Sequence, residues 1–315
     1  MTCKFKNLPN YCNKKPLTIE QQISRLENRG LDFGNKKLAA NYLSNISYYR
    51  LRAYTYPFQD NTDPDNDHCF TRKGISFEDI IDLYCFDRRL RSLVFNALEK
   101  IEVAARTKII YTNSITTNDS HWYVDADHFD DRKVFEKLEE EMGNDIDRSN
   151  EDFIKHYDNK YDEPQFPPSW MGLEVVSFGT LSKLYESLKK SESKKEIAYQ
   201  FGLCDIKIME NWFHALANLR NCCAHHSRIW NRRFMVHIKM PYNTKGMFMD
   251  RDTVRNIKQN KLFALLSAIK YISDIISPNN SFKNNLIQLI DEGGKLLNLK
   301  DMGFPDNWKY LSVWK

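Results

Sequence analysis

The chain has 315 residues, room for one large or two modest domains and for an ample hydrophobic core. Apolar content of 42% and charged content of 28% are ordinary for a soluble globular protein, and no low-complexity segment or internal repeat interrupts it. No apolar run reaches the ~20 residues needed to cross a bilayer, which excludes a membrane-spanning helix.

The formal charge of +4 is mild but unevenly placed. Residues 1–60 carry ten Lys and Arg against four acids, whereas 119–163 carry sixteen acids against six Lys and Arg. The basic end could meet an anionic polymer, and the acidic stretch reads as a solvated face. The start, MTCKFKNLPNYCNKK, has no apolar h-region of the kind a secretory signal needs. Seven cysteines with no C-x-x-C pair suit free thiols in a reducing, cytoplasmic setting. Cys3 and Cys12 with a distant histidine could form a zinc site, but the spacing is not diagnostic, and no metal or cofactor is expected.

In chain order the pattern is helical almost throughout. Thr18 and Gln21 form a capping box for a helix that Gly30 ends. A short helix over 36–43 follows, then ISYYRLRAYTYPF at 46–58, where aromatics and arginines interleave before Pro57. Asp60 to Gly74 is rich in Asn, Asp and Pro and reads as a loop. Ser76 and Asp79 open a long helix from Phe77 to about Tyr111, with Ile80, Tyr84, Leu90, Val94, Leu98, Ile101 and Ala105 at helical spacing. Glu102 and Arg106 stand four apart on it, as a surface ion pair or as support for another group. An acidic helix is expected over 131–157, broken by prolines at 164, 167 and 168. Further helices are expected over 173–188 and 191–201, then one capped by Asp205, then 253–276 and 281–292. The aromatic tail MGFPDNWKYLSVWK reads as a segment that docks on the body. Trp170, Phe178 and Trp230 read as core. The expected architecture is all-α, in three parts: a basic, aromatic helical region (1–74), a helical core (75–240), and C-terminal helices with the docking tail (241–315).

Chemistry concentrates in residues 220–233, RNCCAHHSRIWNRR, at the end of the apolar run 208–219. On a helix at about 100° per residue, His214, Asn221, His225 and Arg228 share one stripe, while Trp212, Leu216, Leu219, Cys223 and Trp230 share another. Cleavage of RNA through its own 2′-hydroxyl needs a base for the 2′ proton, an acid for the leaving 5′ oxygen and a cation for the pentacoordinate phosphorus. Histidine can be base or acid near neutrality, and arginine presents a permanent fork to phosphate oxygens. Two copies across a twofold axis would bring two Arg–His sets to one phosphate, so a homodimer is expected. The competing reading is that the histidines cap the helix and Arg228, Arg232 and Arg233 are surface charges. Cys222 and Cys223 read as packing residues. Tyr49, Arg50 and Arg52, with Tyr48, Tyr54 and Tyr56, have the mix that stacks bases and binds phosphates, or else are half-buried tyrosines beside paired arginines.

The motif RNCCAHHSRIWNR resembles the signature of the bacterial abortive-infection (AbiD/AbiF-like) family of the HEPN ribonuclease superfamily. ISYYRLRAYTYPF, FDRRLRSLVFNALEKIEVAAR, PPSWMGLEVVSFGTLSKLY and the tail resemble family segments in the same order, from about residue 18 onward. The resemblance implies a HEPN-type helical bundle with an N-terminal helical extension and additional C-terminal helices. It also implies that Arg220 contacts the scissile phosphate, that His225 does acid–base work and that Asn221 orients one of them. His226 fits the motif's spacing as well, and Glu102 and Arg106 become supporting residues. Arg228, Asn231 and Arg232 become secondary RNA contacts, with Tyr49, Arg50 and Arg52 as further ones. The implied activity is metal-independent cleavage of single-stranded RNA in a phage-defence system, restrained by a small noncoding RNA or a protein antitoxin; the likeness extends to the HEPN nucleases of RNA-guided type VI CRISPR effectors. Two alternatives stand beside it: a non-catalytic module that holds a structured RNA, and a metal-dependent nuclease or phosphotransferase. The last lacks both a G-x-x-x-x-G-K-S/T loop and a carboxylate cluster beside the motif.

Overall fold

The computed structural model describes residues 15–62 and 68–315. Among the described residues the regular structure is thirteen α-helices and six short 3₁₀ turns, with only isolated β-bridges between loops. The fold is all-α, as the apolar periodicities predict. Cys3 and Cys12 lie outside the described residues. The chain forms two compact units, Met1–Cys85 with Gly294–Leu296, and Phe86–Gly293 with Leu297–Lys315. The division falls at residues 85 and 86, not at 74 and 75, and nearly all of 241–315 belongs to the unit that carries the motif.

In the first unit, α1 (Ile19–Asn28), α2 (Lys36–Asn45) and α3 (Tyr48–Thr55) precede the opening turns of α4 (Phe77–Thr117). Thr18 and Gln21 make the capping box reciprocally, and Gly30 turns the chain at φ +91°. Ile23, Leu26, Leu43, Leu51, Tyr54, Phe77 and Ile80 are buried, so the first turns of α4 are core for this unit. Ser76 and Asp79 cap α4: the Ser76 amide donates to Asp79 Oδ2 at 2.8 Å, and the Asp79 amide donates to Ser76 Oγ at 3.2 Å. Arg52 is committed locally, 3.1 Å from His68 Nε2 and with its guanidinium over the Tyr56 ring.

The second unit is built around the rest of α4, α8 (Phe178–Ser187), α10 (Ile206–Ala224) and α12 (Leu262–Ile276). α10 packs on α8, on α9 (Glu192–Gln200) and on α12. Twelve of the fifteen residues of α12 are buried, the mark of a helix apolar all round and enclosed by others. Phe213 of α10 meets Phe178, Tyr185 and Phe201 edge-on, and Trp212 donates to the Lys239 carbonyl at 2.6 Å. The tail docks as expected, with Phe263 of α12 against Phe304, Trp308 and Trp314.

Four expected helices differ in extent. The 131–157 helix is two, α5 (Arg132–Asp147) and α6 (Asp152–Lys160), because the Ser149 hydroxyl takes the Glu151 amide and competes with the helix ladder. The 173–188 helix is α7 (Ser169–Val175) and α8, broken where Val176 is extended and Ser177 caps α8 through the Thr180 amide. The 253–276 helix is α11 (Arg251–Asn256) and α12, because the Gln259 and Asn260 carbonyls accept instead from Ile238 and Phe234. α4 outruns its expected end and runs to Thr117, stopping where Asn118 takes φ +54°. Trp170, expected in the core, is 53% exposed, while Phe178 and Trp230 are buried.

Candidate functional site

The last turn of α10 carries Arg220 and Asn221, and the helix ends at Ala224 with His225 as its C-cap. Beyond it the Ser227 amide donates to the Cys222 carbonyl at 2.9 Å and the His226 amide to the Cys223 carbonyl at 3.0 Å. That pair of bonds is a Schellman motif, with His226 at φ +55° in the position that glycine favours. The helix therefore stops three residues before Arg228, and the expected stripe holds for His214, Asn221 and His225 but not for Arg228. His214, Asn221, His225 and His226 are exposed, and Cys223, on the opposite face, is buried. Burial pushes the Cys223 thiol up to about 12, so it stays protonated and inert.

Arg220 is one-third exposed, and its Nε lies 3.2 Å from Glu102 Oε2. Its guanidinium sits over the Phe95 ring at 5.7 Å. The terminal nitrogens of Arg220 make no hydrogen bond among the described residues. The other oxygen of Glu102 takes Arg106 Nη2 at 3.1 Å. Arg106 is buried, not a surface charge, and its Nη1 donates to the carbonyls of Leu173 and, at 3.0 Å, Val176. Those carbonyls are free because α7 ends there, and a guanidinium at a helix C-terminus is favourably placed. A relay thus runs from the α7 end through Arg106 and Glu102 to Arg220, each carboxylate oxygen holding one guanidinium.

A second anchor holds the segment after the motif. Asp87, fully buried on α4, accepts the amides of Ile229 at 3.2 Å and Trp230 at 2.7 Å through Oδ1, and pairs with Arg91 through Oδ2. Sequence reasoning missed this pair. Its signal was an Asp and an Arg four apart on a helix whose neighbours are apolar. Arg228 and Arg232 are half-buried, with guanidiniums over Trp230 and Phe234 at 5.7 and 5.9 Å. Asn231 adopts φ +45° and its Oδ1 accepts from Lys261 at 3.2 Å. Tyr49, Arg50 and Arg52 belong to the other unit, where Tyr49 and Arg50 are exposed and Arg52 is half-buried. No group of three or more His, Cys, Asp or Glu that could hold a metal occurs among the described residues, and no described helix is long and apolar enough to cross a membrane.

Fold and site together define an all-helical protein that presents a braced arginine and an exposed histidine where one helix ends. The chain belongs to the family of Abi-like proteins, whose model matches residues 41–231, well over half its length and all of α4 and α10. No curated protein and no solved structure matches it.

Proposed function

We propose that this Abi-like chain is a metal-independent endoribonuclease of the HEPN superfamily, acting in abortive infection on single-stranded RNA. The observation that carries the reading is Arg220: braced through Nε by Glu102, it keeps two terminal nitrogens for a ligand, five residues before the exposed His225. In this reaction the ribose 2′-oxygen attacks the adjacent phosphorus while a base removes its proton. The P–O5′ bond breaks as an acid protonates the 5′ oxygen, leaving a 2′,3′-cyclic phosphate and a 5′-hydroxyl. Arg220 neutralises charge on the phosphoryl oxygens, and Glu102 and Arg106 position it. His225 exchanges the protons, and Asn221, one turn back on the same face, orients the phosphate or the imidazole. One motif supplies one well-placed histidine, so base and acid come from two copies in a homodimer. A small noncoding RNA or a protein antitoxin in the cytoplasm is the expected restraint.

A binding-only reading draws on the same ion pair, since a guanidinium held by a carboxylate grips phosphate without an acid–base partner. The test is cleavage of mixed single-stranded RNA in excess chelator by the wild type, Arg220→Ala and His225→Ala. Product from the wild type alone supports the nuclease. Tight binding without product supports the module, and activity that appears only with added Mg²⁺ overturns the metal-independent mechanism.

A further inference from the structure

The loop after the motif is tied to the turn between α11 and α12. The Phe234 amide donates to the Asn260 carbonyl at 2.9 Å, the Ile238 amide to the Gln259 carbonyl at 3.0 Å, and Lys261 Nζ to Asn231 Oδ1 at 3.2 Å. These bonds set Arg233 and Lys261 on either side of one backbone contact. Gly303 abuts the roots of both lysines: a Cβ added there would meet Lys261 Cβ at 2.7 Å and Lys258 Cβ at 3.9 Å. Arg228 completes the group of cations around the Lys261 amine. Arg233 and Lys258 are exposed and form no ion pair among the described residues. Among the described residues Lys261 hydrogen-bonds only to neutral oxygens, those of the Asn231 side chain and the Asp301 carbonyl at 2.6 Å. The Asp301 carboxylate opposes the shift but does not prevail: burial and the charges of Arg233, Lys258 and Arg228 hold Lys261 below the usual lysine range. Cations gathered this closely repel one another, an arrangement that costs stability unless an anion neutralises it.

We infer that Arg233, Lys258 and Lys261 form a phosphodiester-binding site that grips the RNA strand beyond the cleavage motif. The inference rests on the nuclease reading for the identity of the strand. Arg233, Lys258 and Lys261 all lie past the end of the family match at residue 231. Its position is fixed relative to Arg220 by one rigid element. Glu102 holds Arg220 and Asp87 holds Ile229 and Trp230, both from α4, fifteen residues or about 22 Å apart along the helix. A strand with its scissile phosphate at Arg220 therefore reaches the cluster only some nucleotides away. Backbone contacts of this kind add affinity without adding sequence preference.

Binding of a fluorescein-labelled oligouridylate, measured in chelator across a salt series, tests the site in the His225→Ala background, where no strand is cut. Arg233→Gln with Lys258→Gln, both exposed, should weaken binding at least tenfold and flatten the salt slope by about 1.4. Adding Lys261→Gln should bring the loss to about 2, with the unfolding midpoint recorded because Lys261 also braces Asn231. An unchanged affinity and slope in the double variant overturns the site even if the wild type cleaves normally. A flattened slope with a wild type that cleaves nothing keeps the site and removes the nuclease. Displacement of the label by polyglutamate as readily as by unlabelled oligouridylate overturns the assignment to phosphodiester.

Discussion

His225 and His226 are neighbours in sequence, yet the backbone asks different things of them. His225 continues the α10 face of Asn221, its amide still on the Asn221 carbonyl at 3.0 Å, whereas His226 closes the helix in the left-handed region. Removing the His225 imidazole should lower cleavage by about 10²–10⁴-fold, the usual worth of a positioned acid or base. His226→Gly should raise stability by up to about 1 kcal/mol, since glycine adopts φ +55° without a Cβ penalty. Retention of cleavage by that variant, measured with the same RNA, assigns the chemistry to His225; loss of cleavage transfers it to His226. At Cys223 the buried thiol, raised to about 12, should resist alkylation at pH 8 in the native protein and react only on unfolding, which quantitative labelling reads directly.

At the scale of elements, the site depends on α4 bracing two points of the α10 end. Glu102 and Arg106 lie in the sequence as an ordinary i, i+4 pair, and their spacing does not reveal that both are largely buried. Arg106→Ala should cost about 3–5 kcal/mol, because it leaves one Glu102 oxygen and the α7 carbonyls without their donor. Glu102→Gln keeps the shape but gives up the charge that holds Arg220. It should reduce kcat with a smaller effect on KM, and a change confined to KM would contradict the positioning role. Asp87→Ala should be as destabilising as Arg106→Ala, because it removes the buried carboxylate that pairs with Arg91 and accepts two loop amides. Amide exchange at Ile229 and Trp230 should then rise well above that of α12, and protection unchanged at both would sink this account of the loop.

At the scale of the whole molecule, the shared-site mechanism requires a second copy. Sedimentation of the wild type should give twice the mass of 37.3 kDa. A strict monomer that still cleaves RNA would show that one motif supplies both proton-transfer steps.

The amino-acid sequence determined the all-α class and most helix positions. Apolar spacing along α4 and α10, the Thr18 and Asp205 caps and the aromatic tail are local or periodic signals, and such signals survive in one dimension. It also marked Arg220, Asn221 and His225 as a chemical constellation. Tertiary structure decided the rest. That Arg106 turns inward to the α7 carbonyls and that Asp87 seizes two amides more than 140 residues away are matters of partners distant along the chain. The same holds for the turn before α12, opened by residues 234–238, and for the gathering of Arg233, Lys258 and Lys261. Propensity acts over a few neighbouring residues, whereas buried charges and backbone carbonyls take whichever partner folding brings within reach.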